Sequence, residues 1–127
     1  MKANKIIYWT ATIIVSVMMV FSAYSYLSNP AMNQAFQHLG FPGYFRVELA
    51  LAKLIGAIVL LAPVAARVKE WAYAGFAISF ISAFISHTAS GDPVNYRMMP
   101  VIFLAILVTS YISWNKLPGK SLKIATA

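Results

Sequence analysis

IIYWTATIIVSVMMVFSAYSYL, residues 6–27, runs for twenty-two residues without a charged side chain. Crossing a hydrocarbon core takes about 20 mostly apolar residues, within a range of roughly 17–25. Three stretches of similar length follow, Arg46–Ala66, Glu70–Thr88 and Met98–Trp114. The expectation is an all-α fold, a bundle of four transmembrane helices forming one domain over residues 1–127. The first run opens after Lys2 and Lys5 and ends in small residues around Ser22–Ser25, the outline of a secretory signal. It exceeds the roughly 7–15 apolar residues of such a signal, so it reads as a retained span.

Threading the four segments in order puts Lys2, Lys5, Arg67, Lys69, Lys116, Lys120 and Lys123 on one side, with only Arg46 and Arg97 flanking the other. The positive-inside rule then predicts that both termini are cytoplasmic. Trp9, Trp71 and Trp114 fall at that same interface, as anchors of an aromatic belt would. Tyr8, Tyr73 and Tyr111 on that side, and Tyr24, Tyr26, Tyr44 and Tyr96 on the other, read as further anchors. The inner halves of the spans read as almost wholly apolar, which argues against a transport path.

Composition supports the membrane reading. The chain is 61% hydrophobic and 10% charged, against about 45–50% and about 25% in soluble domains. Its net charge of +7 sits mostly in tails and one loop, where topology accounts for it. The expected partners are therefore anionic lipid headgroups and not nucleic acid. With no cysteine, disulfides, thiol relays and iron–sulfur clusters in these residues are excluded.

The connections carry their own signals. Asn29-Pro30 breaks the first helix. Residues 31–39 place Ala31, Met32, Ala35, Phe36 and Leu39 on one face, predicting a short interfacial helix ended by Gly40. Arg67–Trp71 reads as a tight cytoplasmic connection after Pro63, and Ala89–Pro93 as the second outer turn. Gly75, Ser79 and Ala83, with His87 next in the row, read as a small-residue packing face. Pro100 falls in the first turn of the last span, where proline is tolerated.

Ionisable groups inside a membrane span are costly and usually face the bundle interior. Glu48, Lys53 and His87 are the candidates, all in the outer half, with Arg46, Asp92 and Arg97 as supporting polar groups. Lys53 lies roughly 7.5 Å deeper than Glu48 and is rotated by about 140° from it. The three make either a ligand-binding polar pocket or a purely structural network. Histidine is suited to proton exchange near neutral pH. No metal site is expected, because His38 and His87 are the only histidines and no ligand cluster surrounds them. A two-histidine haem site is disfavoured by the interfacial place of His38, and no catalytic triad or phosphate loop is present.

Leu39-Gly40-Phe41-Pro42, Ala52-Lys53-Leu54-Ile55-Gly56-Ala57, Leu60-Leu61-Ala62-Pro63, Lys69-Glu70-Trp71-Ala72-Tyr73-Ala74-Gly75-Phe76, Ser82-Ala83-Phe84-Ile85-Ser86-His87 and Gly91-Asp92 together resemble the DoxX-like family of small four-span bacterial membrane proteins. The pattern positions Lys53, Trp71, His87 and Gly91 are kept. The resemblance implies a bacterial cytoplasmic membrane protein whose relatives are associated with a quinone-reactive thiosulfate oxidoreductase and with membrane oxidoreductase complexes. It carries over no catalytic residues. The expected function is a redox-associated accessory subunit, not an enzyme as an isolated chain. It would hold a quinone-like or lipid ligand near the outer leaflet, beside a membrane oxidoreductase or a second copy. A structural or assembly subunit and a small proton-coupled transporter are the alternatives.

Overall fold

The inward pattern of the first apolar run organises the architecture. The computed structural model describes residues 2–117, and within them there are five helices and no strand. The helices are α1 (Lys2–Ser28), α2 (Pro30–His38), α3 (Gly43–Leu61), α4 (Ala66–Ala89) and α5 (Val94–Asn115). On α1 the buried residues are Tyr8, Ala11, Thr12, Val15, Ser16, Met19 and Ala23, the three-and-four spacing of one helical face. Ile6, Ile13, Val17 and Phe21 are exposed on the opposite side. Hydroxyls turned inward and branched hydrocarbons turned outward reverse the pattern of a helix in water.

The long helices form a ring. α1 packs on α3 and α5, α5 packs on α4, and α4 closes the ring on α3 with a lighter contact. Short connections join α3 to α4 and α4 to α5, which makes each of those pairs antiparallel, while α2 lies within the longer connection from α1 to α3. α2 lies across α1 and α3 at the end of the bundle away from the N-terminus, hereafter the α2 end; the other is the terminal end. Phe36 anchors α2, buried between Tyr26 and the rings of Phe41 and Phe45.

The caps explain where α2 starts and where α2 and α4 stop. The Asn29 side chain accepts a hydrogen bond from the Ala31 amide at 3.0 Å, with Pro30 at the first helical position, where its missing N–H costs nothing. At the other end Gly40 takes φ +87° and the Phe41 amide donates to the Phe36 carbonyl. Gly91 repeats this at φ +73°, with the Asp92 amide donating to the His87 carbonyl. Both are Schellman closures, which need a left-handed residue that glycine adopts without strain.

Three sequence expectations need correction, and a further one, the third below, is supported only in part. First, α3 starts at Gly43 and ends at Leu61, and α4 already begins at Ala66. Ala62 is extended at ψ 153°, as the residue before a proline is biased to be. The segment Arg67–Trp71 is therefore the first turns of α4, not a loop. Second, α5 begins at Val94, so Pro100 lies inside the helix and not in its first turn. It cannot donate the bond that would close on the Tyr96 carbonyl. Third, three helices (α1, α4 and α5) are long and apolar enough to cross a membrane; α3 carries Arg46, Glu48 and Lys53 within its nineteen residues. Fourth, the packing face of α4 is aromatic: Tyr73, Phe76 and Phe80 are buried. A Cβ on Gly75 would meet nothing within 4 Å, because Gly75 and Ser79 line an open groove toward α3. Lys120 and Lys123 lie outside the described residues.

The aromatic face packs closely where α4 meets α3 at Gly56. Phe76 and Phe80 stack with centroids 6.1 Å apart, and Phe80 stacks on Phe103 at 5.9 Å. A Cβ on Gly56 would come 2.6 Å from Cζ of Phe76, so α3 meets α4 here through a bare backbone. We predict that Gly56→Ala lowers stability by about 1–3 kcal/mol, the usual range for overpacking. Thermal melting in detergent checks it, and Phe76→Leu in the same chain should recover part of the loss. An unchanged melting temperature for Gly56→Ala would contradict the packing described.

Candidate functional site

Polar side chains gather at both ends of the bundle. At the terminal end, Tyr73 and Thr12 each hydrogen-bond the Ser110 hydroxyl, at 2.7 and 2.6 Å. Lys69, only 7% exposed, donates to the Tyr8 hydroxyl and to the Leu60 carbonyl. The latter is one of the carbonyls left open by the end of α3, a favourable place for a cation. Tyr111 donates to Glu70 at 2.8 Å. Tyr8 and Tyr73 are thus buried network members and not interface anchors. This end is more polar than the sequence suggests, because Thr, Ser and Tyr hydroxyls scattered over three helices converge only in three dimensions. Trp114 also turns inward, 3% exposed and stacked on Tyr73 at 5.5 Å, whereas Trp9 and Trp71 are exposed.

The α2 end holds the candidate site. The Schellman closure at Gly91 brings Asp92 back against the end of α4, where its Oδ2 lies 2.6 Å from His87 Nδ1. Its other oxygen lies 2.7 Å from Nε2 of His38, on α2. A carboxylate only accepts, so each histidine donates from the nitrogen that meets it. For His87 this leaves Nε2 without a hydrogen-bond partner among the described residues. Arg97 Nε donates to the Asp92 backbone carbonyl at 2.7 Å, and the Tyr96 ring stacks on His87 at 6.2 Å. The two histidines hold Asp92 below the usual carboxylate range through these hydrogen bonds.

Lys53 projects from α3 toward α1. Its ammonium donates to Ser22 Oγ at 2.8 Å and to the Tyr26 hydroxyl at 2.7 Å, and sits 3.9 Å from the Tyr26 ring centroid. Arg46 donates to the Tyr26 backbone carbonyl. Lys53 and His87 line one cavity of about 300 Å³, together with Ser22, Tyr26 and Tyr96. Its apolar lining includes Met18, Met19, Met32, Met99, Phe80 and Phe103. Phe21 and Met99 line it too and are exposed on the outside of the bundle, so it opens between α1 and α5.

Of the residues singled out in the sequence, Lys53 and His87 share this cavity, and Asp92 and Arg97 support His87. Arg46 braces Tyr26. Glu48 does not join them: it is exposed and makes no hydrogen bond or ion pair among the described residues. The rotation of about 140° from Lys53 sends it out of the bundle. The expected Glu48–Lys53–His87 network is therefore replaced by two separate pairings, Lys53 with hydroxyls and His87 with Asp92. Sequence reasoning missed the roles of Ser22, Tyr26 and His38. His38 had a usable signal, since the two turns holding His38 and Asp92 both end in glycine closures at the same end. Among the described residues no cluster of three His, Cys, Asp or Glu is arranged to hold a metal.

Residues 10–110 match the sequence model of the DoxX-like family. No curated protein and no solved structure matches the chain.

The Asp92 bridge has a pH signature. A carboxylate with a lowered folded pKa contributes stability that is complete above its unfolded value, and that is lost as pH falls through the folded one. The unfolded value is 3.8. The wild-type chain should therefore melt higher than Asp92→Asn above that pH, and the two melting curves should converge on acidification below it. A difference that stays constant through the same acid range would show that the bridge does not stabilise the fold.

Proposed function

Because the chain belongs to the DoxX-like family, we propose that it is a four-span protein of the bacterial cytoplasmic membrane that holds a quinone-like or lipid ligand in the cavity at the α2 end. In this reading α3 is the fourth span. Two of its three charges are accommodated, Arg46 on the Tyr26 carbonyl and Lys53 on two hydroxyls, while Glu48 lies near the helix start, within reach of headgroups. Lys2, Lys5, Arg67, Lys69 and Lys116 lie at the terminal end, which would then face the cytoplasm by the positive-inside rule. α2 would rest at the outer surface, roofing the cavity.

The observation that carries the proposal is that Lys53 and His87 reach one cavity from different helices, between walls of methionine and phenylalanine. Binding sites are mostly apolar with a few convergent polar groups, and volumes of about 300–1,000 Å³ are usual. Lys53 can donate to a ligand oxygen. Neutral His87, with Nδ1 held by Asp92, presents Nε2 as an acceptor and can exchange a proton there. Methionine adapts to ligands of varied shape, and the gap between Phe21 and Met99 admits them from the lipid. The chain would act as an accessory to a membrane oxidoreductase rather than as an enzyme alone.

A structural or assembly role is the second reading. It is favoured by the degree to which Lys53, Asp92, Arg46 and Arg97 already tie helices and turns to one another. A transport role gains the polar groups of the terminal end, but Met19 and Phe80 lie between them and the cavity.

Two experiments test these statements. Mass spectrometry of small molecules co-purifying with the native protein should find a quinone-like or lipid species enriched over folded Lys53→Met and His87→Ala variants. Equal amounts in all three would leave the structural reading. For topology, the absence of cysteine makes single-cysteine labelling clean. Ser90→Cys should react with an impermeant thiol reagent in intact cells, and Ala3→Cys only after permeabilisation; the reverse pattern would invert the orientation.

A further inference from the structure

The chain contains three acidic residues in all, and each is spent elsewhere than on Lys53. Asp92 is taken by His38 and His87. Glu70 accepts from Tyr111 at the terminal end. Glu48 is exposed on the other side of α3. Lys53 is thus a partly buried cation between α1 and α3, and no carboxylate among the described residues pairs with it. A charge in that setting is expensive unless a counter-charge offsets it.

Its hydrogen bonds point to what is missing. An ammonium has three donors and a hydroxyl one. Two Lys53 donors go to Ser22 Oγ and the Tyr26 oxygen, which therefore act as acceptors and keep their own hydrogens to give. One Lys53 donor also remains. Three donors from Lys53, Ser22 and Tyr26 are left at the cavity wall, all suited to one group rich in lone pairs. From this we infer that the ligand of this cavity carries an anionic head, a carboxylate or a phosphate, on a single hydrocarbon chain. The head sits at Lys53, and the chain runs past Met18 and Phe103 to leave between Phe21 and Met99. At about 300 Å³ the cavity is at the small end for ligands, which favours one chain. The inference rests on the cavity being a ligand site, and adds the charge of the occupant.

The test uses the purified full chain in phosphatidylcholine nanodiscs, titrated with palmitate, lysophosphatidate, hexadecanol and a short-chain ubiquinone, with bound mass read by native mass spectrometry. Palmitate, lysophosphatidate or both should bind at least about ten-fold more tightly than hexadecanol, a gap of about 1.4 kcal/mol. Which of the two binds identifies carboxylate or phosphate as the head. Lys53→Met should abolish the preference over the alcohol, and Lys53→Arg should keep it. Tyr26→Phe, which retains the ring but loses one donor, should narrow it, and serves if Lys53→Met does not fold. Equal binding of palmitate, lysophosphatidate and hexadecanol, or binding of the quinone alone, overturns the anionic head while leaving the cavity a ligand site. No binding by any of the four probes overturns both.

Discussion

A hydrogen-bonding group removed from water must find a partner inside the protein, and in this bundle that constraint fixes which helix faces which. α1 turns Thr12 inward because Ser110 and Tyr73 meet it there, and it turns Ser22 and Tyr26 toward Lys53. The hydrocarbon side chains left outside are those suited to lipid. Little apolar driving force separates one face from another when the solvent is itself apolar, so small polar contacts and close packing decide the rotation of each helix. Ser16, whose buried hydroxyl has no hydrogen-bond partner among the described residues, is the exception on this face.

The same constraint makes the α2 end a unit. α2 is nine residues long, too short to be stable alone, and its apolar anchor is one ring, Phe36. The polar tie is the Asp92 carboxylate, which joins His38 of α2 to His87 of α4. A short helix thereby becomes a roof over the cavity, with Met32 among the lining residues. The turn that holds Asp92 is a glycine closure, so the roof depends on Gly91 as much as on the charged groups.

Much of this fold is legible in the residues. The apolar runs announce the long helices, Asn29-Pro30 and Gly40 bracket α2, and Gly91-Asp92 marks the second turn. These signals are local, and local backbone chemistry decides them. What could not be read is what depends on rotation and convergence. The cations and tryptophan at Arg67–Trp71 look like a loop, yet Pro63 and its predecessor end α3 early enough for α4 to begin at Ala66, and Lys69 then points into the bundle. The Gly75–Ser79–Ala83 row looks like a packing seam, but Tyr73, Phe76 and Phe80 fill the interior more fully and leave the small residues beside a groove. Of the site, Lys53 and His87 stand out as ionisable groups in apolar surroundings. Glu48 stands out for the same reason, and only its helical phase separates it from them.

The division of labour between the two basic groups of the cavity follows from what each already binds. His87 is oriented by Asp92 and braced against Tyr96, so its remaining ring nitrogen has a fixed direction. Lys53 is held by two neutral hydroxyls and the Tyr26 ring, and no carboxylate among the described residues cancels its charge. The cavity thus carries an oriented imidazole on the α4 wall and, on the α3 wall, a cation that no carboxylate among the described residues pairs with, with apolar side chains between them. In the proposed ligand-binding reading, such an arrangement would select first for charge and shape, with proton transfer second. In the proposed reading, the charge of the occupant, more than its redox chemistry, is what these side chains would specify.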